Sequence, residues 1–153
     1  MCLTNSMHIL LAEDDENDAL LMQRAFRKTG EQITITVLRN GQDVIDYLQG
    51  SHIYTDRVRF PLPDLILLDL KMPQRNGFEV LEFVKTDVLL KRIPTVLLSS
   101  SRQHRDIVKA YDLRANSYLV KPTAFTDLLK LTQNIYSYWF ATNLLPDGGL
   151  ATA

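Results

Sequence analysis

Short apolar runs alternate along this chain with stretches in which apolar residues recur every three or four positions. Short apolar runs bounded by polar residues are typical of buried β-strands, and the longer spacing is typical of amphipathic helices. The pattern predicts strands at residues 8–12, 33–37, 64–68, 95–98 and 117–120. It predicts helices at about 17–28 and 41–49, a third that buries Phe78, Leu81 and Val84, and two more at about 102–113 and 124–142.

Five strand-and-helix units predict an α/β fold, a five-stranded parallel sheet with helices on both faces and an extended last helix. The flavodoxin-like strand order 2-1-3-4-5 would place the first and third strands side by side. Asn17 and Asn40 are the predicted N-caps of the first two helices, and Gly50 ends the second. We expect one domain over residues 1–142 and a tail at 143–153 with no output domain.

The composition argues against nucleic-acid-binding, disulfide-bonded and membrane-spanning proteins. The net charge of −1 argues against nucleic-acid binding, which usually needs a basic excess. The basic pairs that contain Arg57 and Lys91 are interpreted as solvated surface. Cys2 is the single cysteine, so no intramolecular disulfide can form. No apolar stretch is long enough to span a bilayer, and no signal-peptide pattern is present, so we expect a cytoplasmic protein without a membrane partner.

Chemistry-bearing residues follow four of the predicted strands. Glu13 and Asp14 follow the first strand, Asp69 the third, Ser99 the fourth and Lys121 the fifth. The carboxyl ends of parallel strands meet at one edge of the sheet, where ligands of such folds bind. Three carboxylates at that edge suit Mg²⁺. The set therefore predicts a site in which Asp69 is the nucleophile toward phosphorus, Lys121 pairs with the phosphoryl group and Ser99 donates its hydroxyl.

Taken alone, each residue of this predicted site has an ordinary structural explanation, and so do the acids that follow Asp14. Asp15, Glu16 and Asp18 are interpreted as acids that favour a helix N-terminus. The backbone N–H groups of the turns after Asp69 and Ser99, Ser100 included, could serve phosphoryl oxygens. Pro122 directly follows Lys121; a cis bond there would aim the lysine across the sheet edge, and the sequence leaves the isomer open.

The pattern ILLAEDDEN, PDLILLDLKMPQRNGFEVL, IPTVLLSSS and NSYLVKP resembles the receiver domain of two-component response regulators over residues 8–142. The loop before the third strand and the ending IYSYWFATNLLP are similar to the stand-alone regulators of cyanobacterial phytochromes. The resemblance implies that Asp69 accepts a phosphoryl group from a sensor histidine kinase, a phytochrome among the candidates. It also implies the ligands of one Mg²⁺, for which Mn²⁺ can substitute: Glu13, Asp14, Asp69 and the Lys71 carbonyl.

The same resemblance implies that Ser99 and Tyr118 change conformation when the domain is phosphorylated. It also implies that Lys121 is the lysine characteristic of the family. Tyr118 would swing inward and alter the face formed by the fourth helix, fifth strand and fifth helix. Lys71 departs from the asparagine of many members. Its ammonium would lie beside the phosphoryl group and obstruct water, so we expect slow self-hydrolysis.

The last helix carries more apolar surface than one packed face requires. Its apolar residues span roughly 200°, against the ~100° stripe of a helix packed on one side. The surplus predicts a homodimer or partner contact through four aromatic residues: Tyr136, Tyr138, Trp139 and Phe140. The alternative is that the tail folds back over them.

Two other functions remain open from the sequence. A degenerate receiver could act as a docking module without phosphorylation. A Mg²⁺-dependent phosphatase of the haloacid-dehalogenase type would also use an aspartate after a strand. That class places a second aspartate two residues later, where this chain has Lys71.

Overall fold

The computed structural model describes residues 6–30 and 32–146. The strands form one parallel sheet in the order β2-β1-β3-β4-β5, which confirms the predicted topology. They are β1 (Met7–Ala12), β2 (Ile33–Leu38), β3 (Leu65–Leu68), β4 (Thr95–Ser99) and β5 (Ser117–Val120). The central strand β3 is fully buried, and this explains why its sequence is an unbroken apolar run.

Helices cover both faces of the sheet, as predicted. In the described part of the chain they are α1 (Glu16–Thr29), α2 (Gly41–Gln49), α3 (Gly77–Thr86), α4 (His104–Asp112) and α5 (Phe125–Tyr136). Helices α1 and α5 bury one apolar cluster, which includes Phe26 and Leu128. Helices α2, α3 and α4 bury a second cluster on the opposite face, which includes Leu48 and Leu81. Among the described residues, no helix has the length and apolar character that a membrane crossing requires.

Helix ends agree with the prediction for α2 and differ for α1 and α4. Asn40 caps α2 by accepting the Asp43 N–H at 2.8 Å, and Gly50 ends that helix with a left-handed φ of 70°. Helix α1 starts before the predicted Asn17, because the Asp15 carboxylate accepts the Asp18 N–H at 2.9 Å and caps the helix. Helix α4 starts at His104, two residues later than predicted; the preceding Ser101 hydroxyl accepts the Gln103 N–H at 3.2 Å and donates to the Asp106 carboxylate at 2.6 Å.

Two expectations about side chains were wrong. Arg57, expected on the solvated surface, donates to the carbonyls of Tyr47 and Leu48 at 2.7 Å each and so satisfies the C-terminal end of α2. Phe78, expected to be buried, is half-buried, and the Lys109 ammonium lies 4.6 Å from its ring centroid.

The last helix changes its hydrogen-bonding pattern after Tyr136. Residues Ser137–Thr142 form a π-helical segment, whose wider turn breaks the 100° spacing assumed from the sequence. Tyr136, Trp139 and Phe140 are half-buried against the α1–α5 cluster of the same chain, so they are not the surplus surface expected of them. Tyr138 is 53% exposed. The predicted tail lies outside the described residues from position 147 onward.

Candidate functional site

The carboxyl ends of β1 and β3 bring three carboxylates together. Ala12 pairs with Leu68, so the residues that follow, Glu13 and Asp69, emerge side by side. The Asp69 N–H donates to the Ala12 carbonyl at 3.1 Å and fixes this alignment. One carboxylate oxygen from each of Glu13, Asp14 and Asp69 lies within 4.8 Å of the others. Glu13 and Asp69 are buried and Asp14 is exposed, so the cluster is open on one side.

Lys121 joins this cluster from the end of β5. Its Nζ hydrogen-bonds to the Glu13 carboxylate and lies 3.1 Å from an Asp69 oxygen and 3.2 Å from an Asp18 oxygen. Its backbone N–H donates to the Ser99 carbonyl at 2.9 Å. The bond before Pro122 is trans, and no cis peptide occurs in the described ranges. The sequence left the isomer of this bond open, and Lys121 reaches the carboxylates in the trans form.

Burial and crowding set the charges of this site. Burial raises the pKa of Glu13 to about 7; the hydrogen bond from Lys121 opposes the shift, and the charge of Asp69 adds to it. Burial also lowers the pKa of Lys121, but the carboxylates of Glu13 and Asp69 outweigh it and hold that pKa above its ordinary value. Lys121 therefore stays charged, while the carboxylate cluster is short of positive charge.

Ser99 and Tyr118 are linked through the turn after β4. Ser99 is buried, and its hydroxyl oxygen accepts the Ser101 N–H at 3.1 Å. The hydroxyl of the half-buried Tyr118 donates to the Ser101 carbonyl at 2.9 Å. Ser100, which lies between Ser99 and Ser101 in sequence, is exposed. The side chains of Ser99 and Tyr118 thus bind opposite ends of the same residue.

The loop after Asp69 is held by Gly77 at the start of α3. The Gly77 N–H donates to the Leu70 carbonyl at 2.8 Å. A Cβ at Gly77 would lie 2.3 Å from the Asp69 carbonyl oxygen, so only glycine permits this close approach. Lys71 is exposed and lines an open cleft together with Asp14. Packing at Gly77 therefore fixes the backbone that carries both Asp69 and Lys71.

Sequence reasoning missed the contribution of Asp18 and the packing role of Gly77. Asp18 was interpreted as an acid at a helix N-terminus, and it does occupy the first turn of α1. Its contact with Lys121 depends on the orientation of α1 relative to the end of β5, and no local sequence pattern predicts that orientation. The Asn76–Gly77 pair could have drawn attention to the packing role of Gly77, although the same pair is equally typical of a turn.

Comparisons with known proteins identify the family. The model of the response regulator receiver domain matches residues 9–133. The chain belongs to this family. The response regulator Rcp1 of Synechocystis sp. is 38% identical over 138 residues, which cover 90% of this chain and 92% of Rcp1. The probable methanogenesis regulatory protein FilR2 of Methanothrix harundinacea is 40% identical over 138 residues, covering 90% and 86% of the two chains.

Solved receiver structures agree with this fold. The phosphorylated cyanobacterial phytochrome response regulator RcpA superimposes with a TM-score of 0.87 at 36% identity, covering 93% of this chain and 99% of RcpA. The Mn²⁺-bound form of Rcp1 has a TM-score of 0.83 at 38% identity, covering 92% and 99%. The predicted resemblance to receivers, and to the cyanobacterial phytochrome regulators among them, is confirmed.

Proposed function

We propose that this chain is a response regulator receiver that accepts a phosphoryl group from a histidine kinase onto Asp69. The observation that carries the proposal is the convergence of Lys121 and the carboxylates of Glu13 and Asp14 on Asp69, at the edge of the sheet. The receiver would comprise residues 1–142, with 143–153 as a tail, and signalling would occur by protein contact. RcpA is a cyanobacterial phytochrome response regulator whose structure is that of the phosphorylated form, and this similarity supports a phytochrome as one candidate donor.

The carboxylate cluster fits a divalent cation. Glu13, Asp14 and Asp69 offer oxygen atoms within 4.8 Å of one another, and hard cations such as Mg²⁺ prefer oxygen ligands. Burial raises the pKa of Glu13 and the charge of Asp69 adds to the shift, so a cation at this cluster would stabilise the charged carboxylate. We propose these side chains and the Lys71 carbonyl as the ligands. A bound Mg²⁺, or Mn²⁺ as in the Rcp1 structure, would neutralise the carboxylates and the incoming phosphoryl group.

The residues around Asp69 have separate parts in the proposed transfer. An Asp69 oxygen forms a bond to phosphorus while the bond from phosphorus to the donor histidine nitrogen breaks. Lys121 pairs with a phosphoryl oxygen, which suits a reaction that needs positioning and charge compensation. The Ser99 hydroxyl and the Ser100 N–H would donate to the other oxygens. Ser99 would then release the Ser101 N–H, and Tyr118 would carry the change to α4 and α5.

Intact mass spectrometry tests this proposal. The wild type is incubated with Mg²⁺ and a small phosphodonor such as acetyl phosphate, with Asp69→Asn as the variant and Asp64→Asn as a matched control. Asp64 lies at the opposite end of β3, where its carboxylate accepts the His8 N–H. We expect one added phosphoryl group in the wild type and the control only. Equal labelling of Asp69→Asn would contradict the proposal by showing that another residue accepts the group. No labelling of the wild type by either the small donor or purified kinases would also contradict it and would leave a docking module.

We also propose a homodimer through the end of the last helix. Tyr136, Trp139 and Phe140 are half-buried within the chain, so Tyr138 is the aromatic residue of this group that is free for a partner. Light scattering at micromolar concentration should give a dimeric mass for the wild type and a monomeric mass for Tyr138→Glu. Tyr111→Glu is the matched control, because Tyr111 is equally exposed at 51% but lies on α4. A monomeric wild type would rule out a stable dimer.

A further inference from the structure

Asp18 occupies a position at which an acid usually serves its own helix. It is the third residue after the N-cap Asp15. In a capping box, the acid at this position accepts the backbone N–H of the N-cap residue. Helix α3 follows that rule, since Glu79 accepts the Asn76 N–H at 3.2 Å.

Helix α1 departs from the rule because another residue takes the N-cap donor. The Asp15 N–H donates to a Glu13 oxygen at 3.2 Å. The Asp18 carboxylate instead points to β5, and its Oδ2 lies 3.2 Å from the Lys121 ammonium, 103 residues away in sequence. Glu13 therefore contacts both ends of this arrangement, the cap of α1 and the lysine.

The three carboxylates around Lys121 differ in exposure. The side chains of Glu13 and Asp69 are 4% and 11% exposed, whereas that of Asp18 is 47% exposed. Asp18 thus contacts the ammonium from the solvent side. Glu13 and Asp69 belong to the metal cluster, and Asp69 is the proposed phosphoryl acceptor. Among the carboxylates that contact Lys121 in the described residues, Asp18 is the one that is neither a proposed metal ligand nor the proposed phosphoryl acceptor.

From this geometry we infer that Asp18 is a positioning residue, which holds the Lys121 ammonium at the site while Glu13 and Asp69 are engaged. The inference rests on the proposed function for its effect on transfer, but the contact itself is independent of it. Exposed ion pairs contribute modestly, and such a contribution corresponds to about a two- to fivefold change in a rate.

The test compares Asp18→Asn with Glu16→Gln. Both remove one negative charge from the first turn of α1, but Glu16 is paired with Arg39 at 3.8 Å and its side chain is 72% exposed. We expect phosphorylation by acetyl phosphate to slow about two- to fivefold in Asp18→Asn, with little change in Glu16→Gln. Asp18→Glu, which keeps the charge, should recover most of the rate. Equal slowing in Asp18→Asn and Glu16→Gln would mean that the charge acts on the helix terminus and would overturn the inference.

A second readout needs no phosphorylation. NMR relaxation of the Lys121 Cε methylene reports how tightly the end of the side chain is held. We expect a lower order parameter in Asp18→Asn than in the wild type and Glu16→Gln. An unchanged order parameter would overturn the inference. A wild type that shows the tether but accepts no phosphoryl group would contradict the proposed function and leave Asp18 as a partner of Lys121.

Discussion

Replacing Gly77 with alanine should disturb Asp69 without touching any charged group. The added Cβ would lie 2.3 Å from the Asp69 carbonyl oxygen, 2.8 Å from the Leu70 Cα and 3.0 Å from the Asp69 carbonyl carbon. All three atoms belong to the backbone, so no side chain can turn aside. Ordinary contact begins at 3.4 Å, and the backbone after β3 must therefore move by about 1 Å.

Two effects determine the size of the loss. Overpacking of this kind costs typically about 1–3 kcal/mol. Alanine recovers at most about 1 kcal/mol of backbone entropy at a helical position. We therefore expect the free energy of unfolding to fall by about 1–2 kcal/mol. The effect on phosphoryl transfer should be larger, because a 1 Å misplacement of a reacting group can slow a reaction about a hundredfold.

Urea unfolding and the rate of phosphorylation by acetyl phosphate measure these two effects. Gly30→Ala is the matched control, since its added Cβ meets nothing closer than 3.7 Å and its φ of −170° is accessible to any residue. We expect the control to match the wild type in both assays. A Gly77→Ala protein with wild-type stability and rate would refute the view that Gly77 positions Asp69.

Three further predictions concern charges and carbonyls. Because burial raises the pKa of Glu13 from 4.5 to about 7, the folded state holds this proton more tightly; without metal, stability should fall by up to about 3 kcal/mol from pH 4.5 to pH 7. Thermal unfolding should accordingly show a larger stabilisation by Mg²⁺ at pH 8 than at pH 5, and equal shifts would contradict the site. Lys71→Ala should lose its phosphoryl group faster than the wild type, as followed by intact mass, and slower loss would count against a shielding lysine. Arg57→Gln should lower the free energy of unfolding in urea by about 1–3 kcal/mol, because carbonyls at the end of α2 lose their donor; no change would show that water replaces it.

Most of the fold follows from residue patterns that act locally. The apolar runs identify the inner strands β1, β3 and β4 because a strand buried on both faces has no polar alternation. The edge strands β2 and β5 are partly exposed and contain polar residues, but they keep enough apolar residues to be found. Four elements of the site follow from the same source, since Glu13, Asp69, Ser99 and Lys121 each come directly after a run. Parallel strands bring their ends to one edge whatever the details of packing, and this explains why the convergence was predictable.

The features that were missed depend on how elements meet. The cap of α1 at Asp15 rather than Asn17 reflects a competition between two side chains that are both good N-caps, which the sequence alone does not rank. The π-helical segment after Tyr136 changes which aromatic residues pack against the rest of the protein, and the spacing of apolar residues in the sequence does not predict this segment. Arg57 was judged by its charge, but its fixed fork of donors suited the carbonyls at the end of α2 better than water.

The order of the strands also determines when the site can exist during folding. Lys121 is separated by 52 residues from Asp69 and by 108 from Glu13, so the cluster forms only after long loops have closed. Synthesis from the N-terminus produces all three acids well before the lysine that neutralises them. A nascent or partly folded chain that lacks Lys121 therefore carries three mutually repelling acids without the lysine that contacts them. If Asp69 is the acceptor we propose, only completely folded copies would take a phosphoryl group, and incompletely folded copies would not signal.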